Sequence, residues 1–149
     1  MQWIVGMTFP VAAVLFVLTA ARNIVAKKAR CIRKRMEQRY GSGIRLMAGC
    51  GVVNETGRVP GVLVLADNLL AYECVLAKGR GEIDFSSVKE YDFEDSARTR
   101  HVQARKYLQA RVLALYTDGA HPRLFVIPAL RAKEWDIGLR RALGEPRKA

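Results

Sequence analysis

The first twenty-one residues carry no charged side chain, and the next twenty-four carry nine basic residues against a single acid, Glu37. This juxtaposition limits the chain more than any other feature. Gln2 to Ala21 is twenty residues long, and at about 1.5 Å per residue a helix of that length covers roughly 30 Å of hydrocarbon. Trp3 is placed to mark one membrane interface and Arg22 to close the other. Thr8 and Thr19 can return their hydroxyls to backbone carbonyls, and Pro10 is tolerated in a membrane helix. A cleaved signal peptide needs a basic residue ahead of its apolar core, and none stands there. A buried helix of a soluble core should show an apolar stripe, whereas this stretch is apolar all round. The expectation is a single retained span at residues 1–21. All the basic residues lie on its C-terminal side, which predicts an outward N-terminus and a cytoplasmic remainder at the plasma (inner) membrane.

The net charge of +11 is concentrated in that collar. From Leu46 onward sixteen basic and thirteen acidic residues nearly balance. Within the collar, Val25, Ala29, Ile32, Met36 and Tyr40 follow helical spacing and form one stripe. Lys27, Lys28, Arg30, Arg33, Lys34, Arg35 and Arg39 occupy most of the remaining circumference. The helix is predicted to run on until Gly41-Ser42-Gly43 ends it, giving a juxtamembrane helix and linker at 22–43. The seven cations could read anionic headgroups at about 1 kcal/mol each near a surface. Alternatively, they only set topology. The apolar stripe could dock a partner helix or the following domain. Cys31 lies on the same helix, where either reversible acylation or a small neutral surface residue fits.

At Ile44 the period changes from helical to two. Ile44, Leu46, Ala48, Cys50 and Val52 alternate with Arg45, Met47, Gly49, Gly51 and Val53, as a strand with one buried face requires. Asn54-Glu55-Thr56-Gly57 is turn chemistry. Strands are then predicted over 62–65, 69–76, 82–85, 88–93, 107–116 and 123–127. Ala66-Asp67-Asn68 and Thr117-Asp118-Gly119-Ala120 supply hairpin turns. Pro128 stops the sheet and opens a helix whose inward face is Trp135, Leu139, Ala142 and Leu143, ended by Gly144 and Pro146. The prediction is a single transmembrane helix followed by a mainly-β domain at 44–144, a bent seven-stranded antiparallel sheet capped by a C-terminal helix, with a tail at 145–149.

Gly61-Val62-Leu63-Val64-Leu65, with Asp67, Asn68, Leu69 and Tyr72, resembles the second and third strands of pleckstrin-homology-like domains, including GRAM-type and bacterial members. Ile83-Asp84-Phe85-Ser86-Ser87-Val88 is similar to their passage from fourth to fifth strand. Leu113 to Gly119 and Leu124 to Ile127 resemble their last hairpin, and Trp135 falls in the expected terminal helix. The order of these motifs, over residues 44–144, carries the resemblance. It implies a non-enzymatic binding or adaptor module, often membrane-associated. One departure is the first hairpin, where Arg58 stands alone beside Glu55. Phosphoinositide-binding members place several basic residues there.

No Walker loop, G-x-S-x-G elbow, H-E-x-x-H or paired-carboxylate arrangement occurs, and no catalytic residue, cofactor, metal site or small-molecule substrate is inferred. Cys31, Cys50 and Cys74 form no C-x-x-C pair. Gly49-Cys50-Gly51 only superficially suggests a nucleophile loop, because Cys50 lies on the apolar phase of a strand. His101 and His121 have no ligand-spaced partner. Two charged segments remain. Glu90, Asp92, Glu94 and Asp95 form an acidic run, followed by Arg98, Arg100, Arg105, Lys106 and Arg111. They could neutralise each other across the sheet, or the bases could face an anionic partner. Nucleic acid is disfavoured because no aromatic residues interleave the bases. The leading expectation is a membrane-anchored adaptor or accessory subunit that binds another membrane protein or complex on the cytoplasmic face. It would meet membrane lipids through its anchor and collar. The alternatives are an anionic-lipid-sensing module and a small enzyme or regulator with no sequence-local motif.

Overall fold

A computed structural model describes residues 5–95, 110–119 and 121–144, with side chains from residue 13 onward except Glu94 and Asp95. The chain opens with one helix, α1 (Val5–Tyr40), about 54 Å long at the usual rise. It continues unbroken across Ala21 and Arg22 and stops where Gly41, at φ +53°, begins a short 3-10 turn, Gly41–Gly43. Thr19 donates its hydroxyl to the carbonyls of Leu15 and Phe16, at 2.6 and 3.0 Å. The span expected at residues 1–21 is not a feature of the described structure. Among the described residues no helix is long and apolar enough to cross a membrane. Eighteen residues counted from Ala13, the first with a described side chain, already include Arg22, Lys27, Lys28 and Arg30.

Seven strands follow: β1 (Ile44–Asn54), β2 (Gly57–Ala66), β3 (Leu69–Cys74), β4 (Arg80–Asp84), β5 (Glu90–Asp95), β6 (Ala110–Tyr116) and β7 (Arg123–Pro128). They form one antiparallel sheet in the order β4-β3-β2-β1-β7-β6-β5. Turn chemistry fixes the register. Asn54 accepts hydrogen bonds from the backbone N–H and the hydroxyl of Thr56, and Gly57 takes φ +121°. The expected strand at 82–85 instead ends at Asp84. There Asp84 accepts a 2.8 Å bond from the Ser86 N–H and opens a 3-10 turn, Phe85–Ser87. That hydrogen bonding holds the Asp84 carboxyl below its ordinary value.

β1 pairs unequally with its two neighbours. Ten residue pairs join β1 to β2, but only Gly51, Val52 and Val53 pair with β7. The first half of β1 is left without a neighbour on that side, and α2 (Ala129–Leu143) fills the opening. Trp135 and Leu139 are fully buried there among Leu63, Leu65, Leu113, Phe125 and Ile127. Arg131 of α2 donates to the Met47 carbonyl at 3.1 Å. The close approach depends on Gly138, where an added Cβ would stand 2.7 Å from Leu65 Cδ2 and 2.9 Å from Leu46 Cδ1. Gly144, at φ +84°, ends the helix with its N–H on the Arg140 carbonyl.

The alternation read from β1 holds for Leu46, Ala48, Cys50 and Val52, which face the main core. Ile44 does not share that face. A register shift between Ile44 and Leu46 turns it to the opposite side, where it packs with Met47. In β2 both faces are buried, with Leu63 and Leu65 inward and Val62 and Val64 outward. The outward pair needs its own cover, which α1 provides.

Candidate functional site

The C-terminal half of α1 lies on the outer face of β1, β2 and β3. Its predicted stripe is the contact surface. Ile32 and Met36 are buried against Val62, Val64, Ala71 and Val75, with Val25, Ala29 and Tyr40 partly buried beside them. Of the two docking partners the sequence allowed for this stripe, the structure shows the chain's own sheet. Full burial of a side chain such as Ile or Met contributes about 1.5–3 kcal/mol, so this apolar seam dominates the attachment.

A polar margin follows the seam. Arg35 pairs with Glu73 of β3 at 2.6 Å, and Arg39 pairs with Glu82 of β4 at 2.8 Å. The Tyr40 hydroxyl donates to the same Glu82 carboxylate at 2.5 Å, and the Arg39 guanidinium sits 5.6 Å from the Tyr40 ring centroid. Burial and the Glu82 carboxylate push the Tyr40 phenol up to about 12. Arg45 closes the linker on Asp67 at 2.8 Å. These pairs are largely exposed, so each contributes at most about 1 kcal/mol. Their effect is on register along the groove.

The seven collar cations therefore divide. Arg35 and Arg39 are held by acids of the sheet. Arg33 reaches over Gly49 of β1, where an added Cβ would stand 3.8 Å from its Nη2. Lys27, Lys28, Arg30 and Lys34 are exposed, Arg30 with a weak 3.4 Å bond to the Ala26 carbonyl. Glu73 and Glu82, which sequence reasoning did not select, are the acids that sort them. Their sequence signal was modest: Glu73 occupies the outward phase of β3, opposite Tyr72 and Cys74.

Two grooves border the seam. One, of about 560 Å³, lies between Arg35, Arg39 and Tyr40 of α1 and Glu73, Arg80 and Glu82 of the sheet. The other, of about 510 Å³, lies nearer the uncharged end and is bounded by Ile24, Lys27, Lys28 and Arg35 against Glu73 and Val75. The first sets three cations against two acids; the second sets three cations against one.

The second predicted region is only partly described. Arg98, Arg100, Arg105 and Lys106 lie outside the described residues. Arg111 is exposed on β6, with Asp95 of β5 and Ile127 of β7 as its register partners. On β5, Tyr91 and Phe93 face the core, while Asp92 is exposed. Lys89 pairs with Asp118 at 2.6 Å. Cys50 is buried in the core, and burial pushes its thiol up to about 12, which keeps it protonated and unreactive. Burial also raises the Cys74 thiol. Among the described residues no three His, Cys, Asp or Glu side chains gather to hold a metal ion.

No family model and no curated protein matches the chain. Among solved structures it is similar to the crystal structure of the C-terminal domain of an unknown protein from Leishmania infantum. The TM-score is 0.56 at 15% identity, over 77% of this chain and 96% of that one. At that identity the likeness is one of fold: a seven-stranded antiparallel sheet with flanking helices.

Proposed function

We propose that this chain is a non-enzymatic, membrane-anchored adaptor built on a pleckstrin-homology-like domain, an accessory subunit that binds another membrane protein on the cytoplasmic face. One observation carries the reading. Five consecutive side chains of α1, Val14, Leu15, Phe16, Val17 and Leu18, are 55–75% exposed. Five consecutive positions go once round a helix and beyond, so no single contact within the chain could cover them. Such a surface needs an apolar surrounding of lipid or other helices. The uncharged residues 1–21 and the basic collar support insertion with the domain on the cytoplasmic side.

The pleckstrin-homology-like assignment is supported by the strand order, by the short β1–β7 pairing and by Trp135 of α2 in the opening. The adaptor reading is supported by the seam. A domain fixed to the helix that anchors it would be presented at one height and orientation, as suits a scaffold contact. Purification of the full chain from native membranes in mild detergent, followed by light scattering, tests the proposal. The expected result is a complex heavier than the 16.7 kDa chain, containing a second membrane protein at fixed ratio. A chain that runs alone, or one recovered without membranes, contradicts it.

A further inference from the structure

The groove beside Ile24 carries a larger uncompensated charge than the groove beside Tyr40. Its rim carries Lys27, Lys28 and Arg35 against one acid, Glu73. The Arg35–Glu73 pair at 2.6 Å uses that acid up. Neither lysine has an ion-pair partner among the described residues, so two ammonium groups face the groove's surroundings unneutralised. The floor is apolar, formed by buried Ile32 and Val75, and Ile24 stands 54% exposed at the end nearer the uncharged segment. Leu76, next after Val75, is 55% exposed. A site with an apolar floor and two cations at one end suits an amphiphile with an anionic head.

Its position along α1 agrees. Six and seven residues separate Ala21 from Lys27 and Lys28, an axial rise of about 9–10 Å. A headgroup layer is roughly 5–7 Å deep, the difference between full and hydrocarbon thickness shared by two leaflets. Helical side chains lean toward the N-terminus, so both ammonium groups reach back toward that layer. The groove beside Tyr40 lies further along the helix and sets Glu73 and Glu82 against its three cations, a surplus of one charge where the groove beside Ile24 has two.

Resting on the membrane reading above, we propose that this groove holds the headgroup of an anionic phospholipid. Lys27 and Lys28 take its phosphate, and Ile24 flanks its glycerol and first methylenes. The collar is then a selective lipid contact at one place and a diffuse charge elsewhere.

Native mass spectrometry of the full chain in neutral detergent, with phosphatidylglycerol and phosphatidylcholine of matched acyl chains, tests this. The wild-type chain should retain phosphatidylglycerol about tenfold over phosphatidylcholine. Lys27→Gln with Lys28→Gln should abolish that preference, and Lys27→Arg with Lys28→Arg should restore it. Arg33→Gln with Lys34→Gln removes the same charge outside the groove and should keep most of it. Equal loss in both glutamine pairs would reduce the site to diffuse attraction and overturn the proposal, as would a wild-type chain without preference. Millimolar glycerol 3-phosphate should not displace the lipid; displacement would assign the groove to a free phosphate instead. Unchanged melting temperatures confirm that the variants are folded. Sedimentation of the same chains with carbonate-washed membranes is read in parallel. A chain that stays with the membrane yet shows no lipid preference sinks the groove alone, and one that leaves it sinks the membrane reading.

Discussion

Among the described residues Trp135 is the largest fully buried side chain, and its indole N–H has no hydrogen-bond partner there. The opening between β1 and β7 is filled by ring volume, and a buried donor without a partner costs about 1–3 kcal/mol. Trp135→Ala should therefore destabilise the domain by about 3–5 kcal/mol, a large part of what a domain this size has. Trp135→Phe retains most of the ring and removes the orphaned donor, so it should cost clearly less. Urea unfolding of both variants checks this, and equal losses would contradict it. Tyr40 provides a second single-residue test. Its phenol is pushed up to about 12, above the usual value near 10. A raised folded-state value means that its contribution is complete below about pH 10 and is lost as pH rises toward 12. The stability difference between the parent and Tyr40→Phe should be constant up to about pH 9.5 and shrink above it. A difference that grows with alkalinity would contradict the Tyr40–Glu82 bond.

Among the elements, the helix–sheet seam sets what the rest can do. Two buried residues, Ile32 and Met36, compete in importance with two largely exposed ion pairs, Arg35–Glu73 and Arg39–Glu82, and magnitudes favour the former. Ile32→Asp should lift the collar from the sheet and expose its Lys and Arg bonds to trypsin. The main core, which excludes Ile32, should stay folded by near-UV circular dichroism. Arg35→Ala with Arg39→Ala should cost at most about 2 kcal/mol and leave the collar protected. Rapid cleavage of the arginine variant with slow cleavage of Ile32→Asp would reverse the assignment. The elements themselves were legible from local pattern. The collar stripe, the period change at Ile44, the hairpin at Asn54–Gly57 and the helix after Pro128 are all encoded within a few residues. Sequence did not show where the collar goes, because its acid partners lie 38 and 42 residues downstream of Arg35 and Tyr40. The bulge that turns Ile44 outward was equally hidden. Nothing local distinguishes that residue from the next in the alternation.

For the whole molecule, one helix presents two different surfaces. Its second half is docked on the outer face of a sheet whose inner face is closed by α2, so the domain is covered on both sides of β2. Its first half offers apolar side chains that none of the described residues covers. A domain clamped in this way cannot swing on a loose tether, which is the physical basis for reading it as a presenting scaffold. That account depends on the uncovered half being buried in a membrane. Alkaline carbonate extraction of cell membranes containing the full chain tests it most directly. The account predicts that the chain stays in the pellet, and that replacing Val14, Phe16 and Leu18 together by Lys releases it. Quantitative recovery of the unaltered chain in the carbonate supernatant would contradict the account.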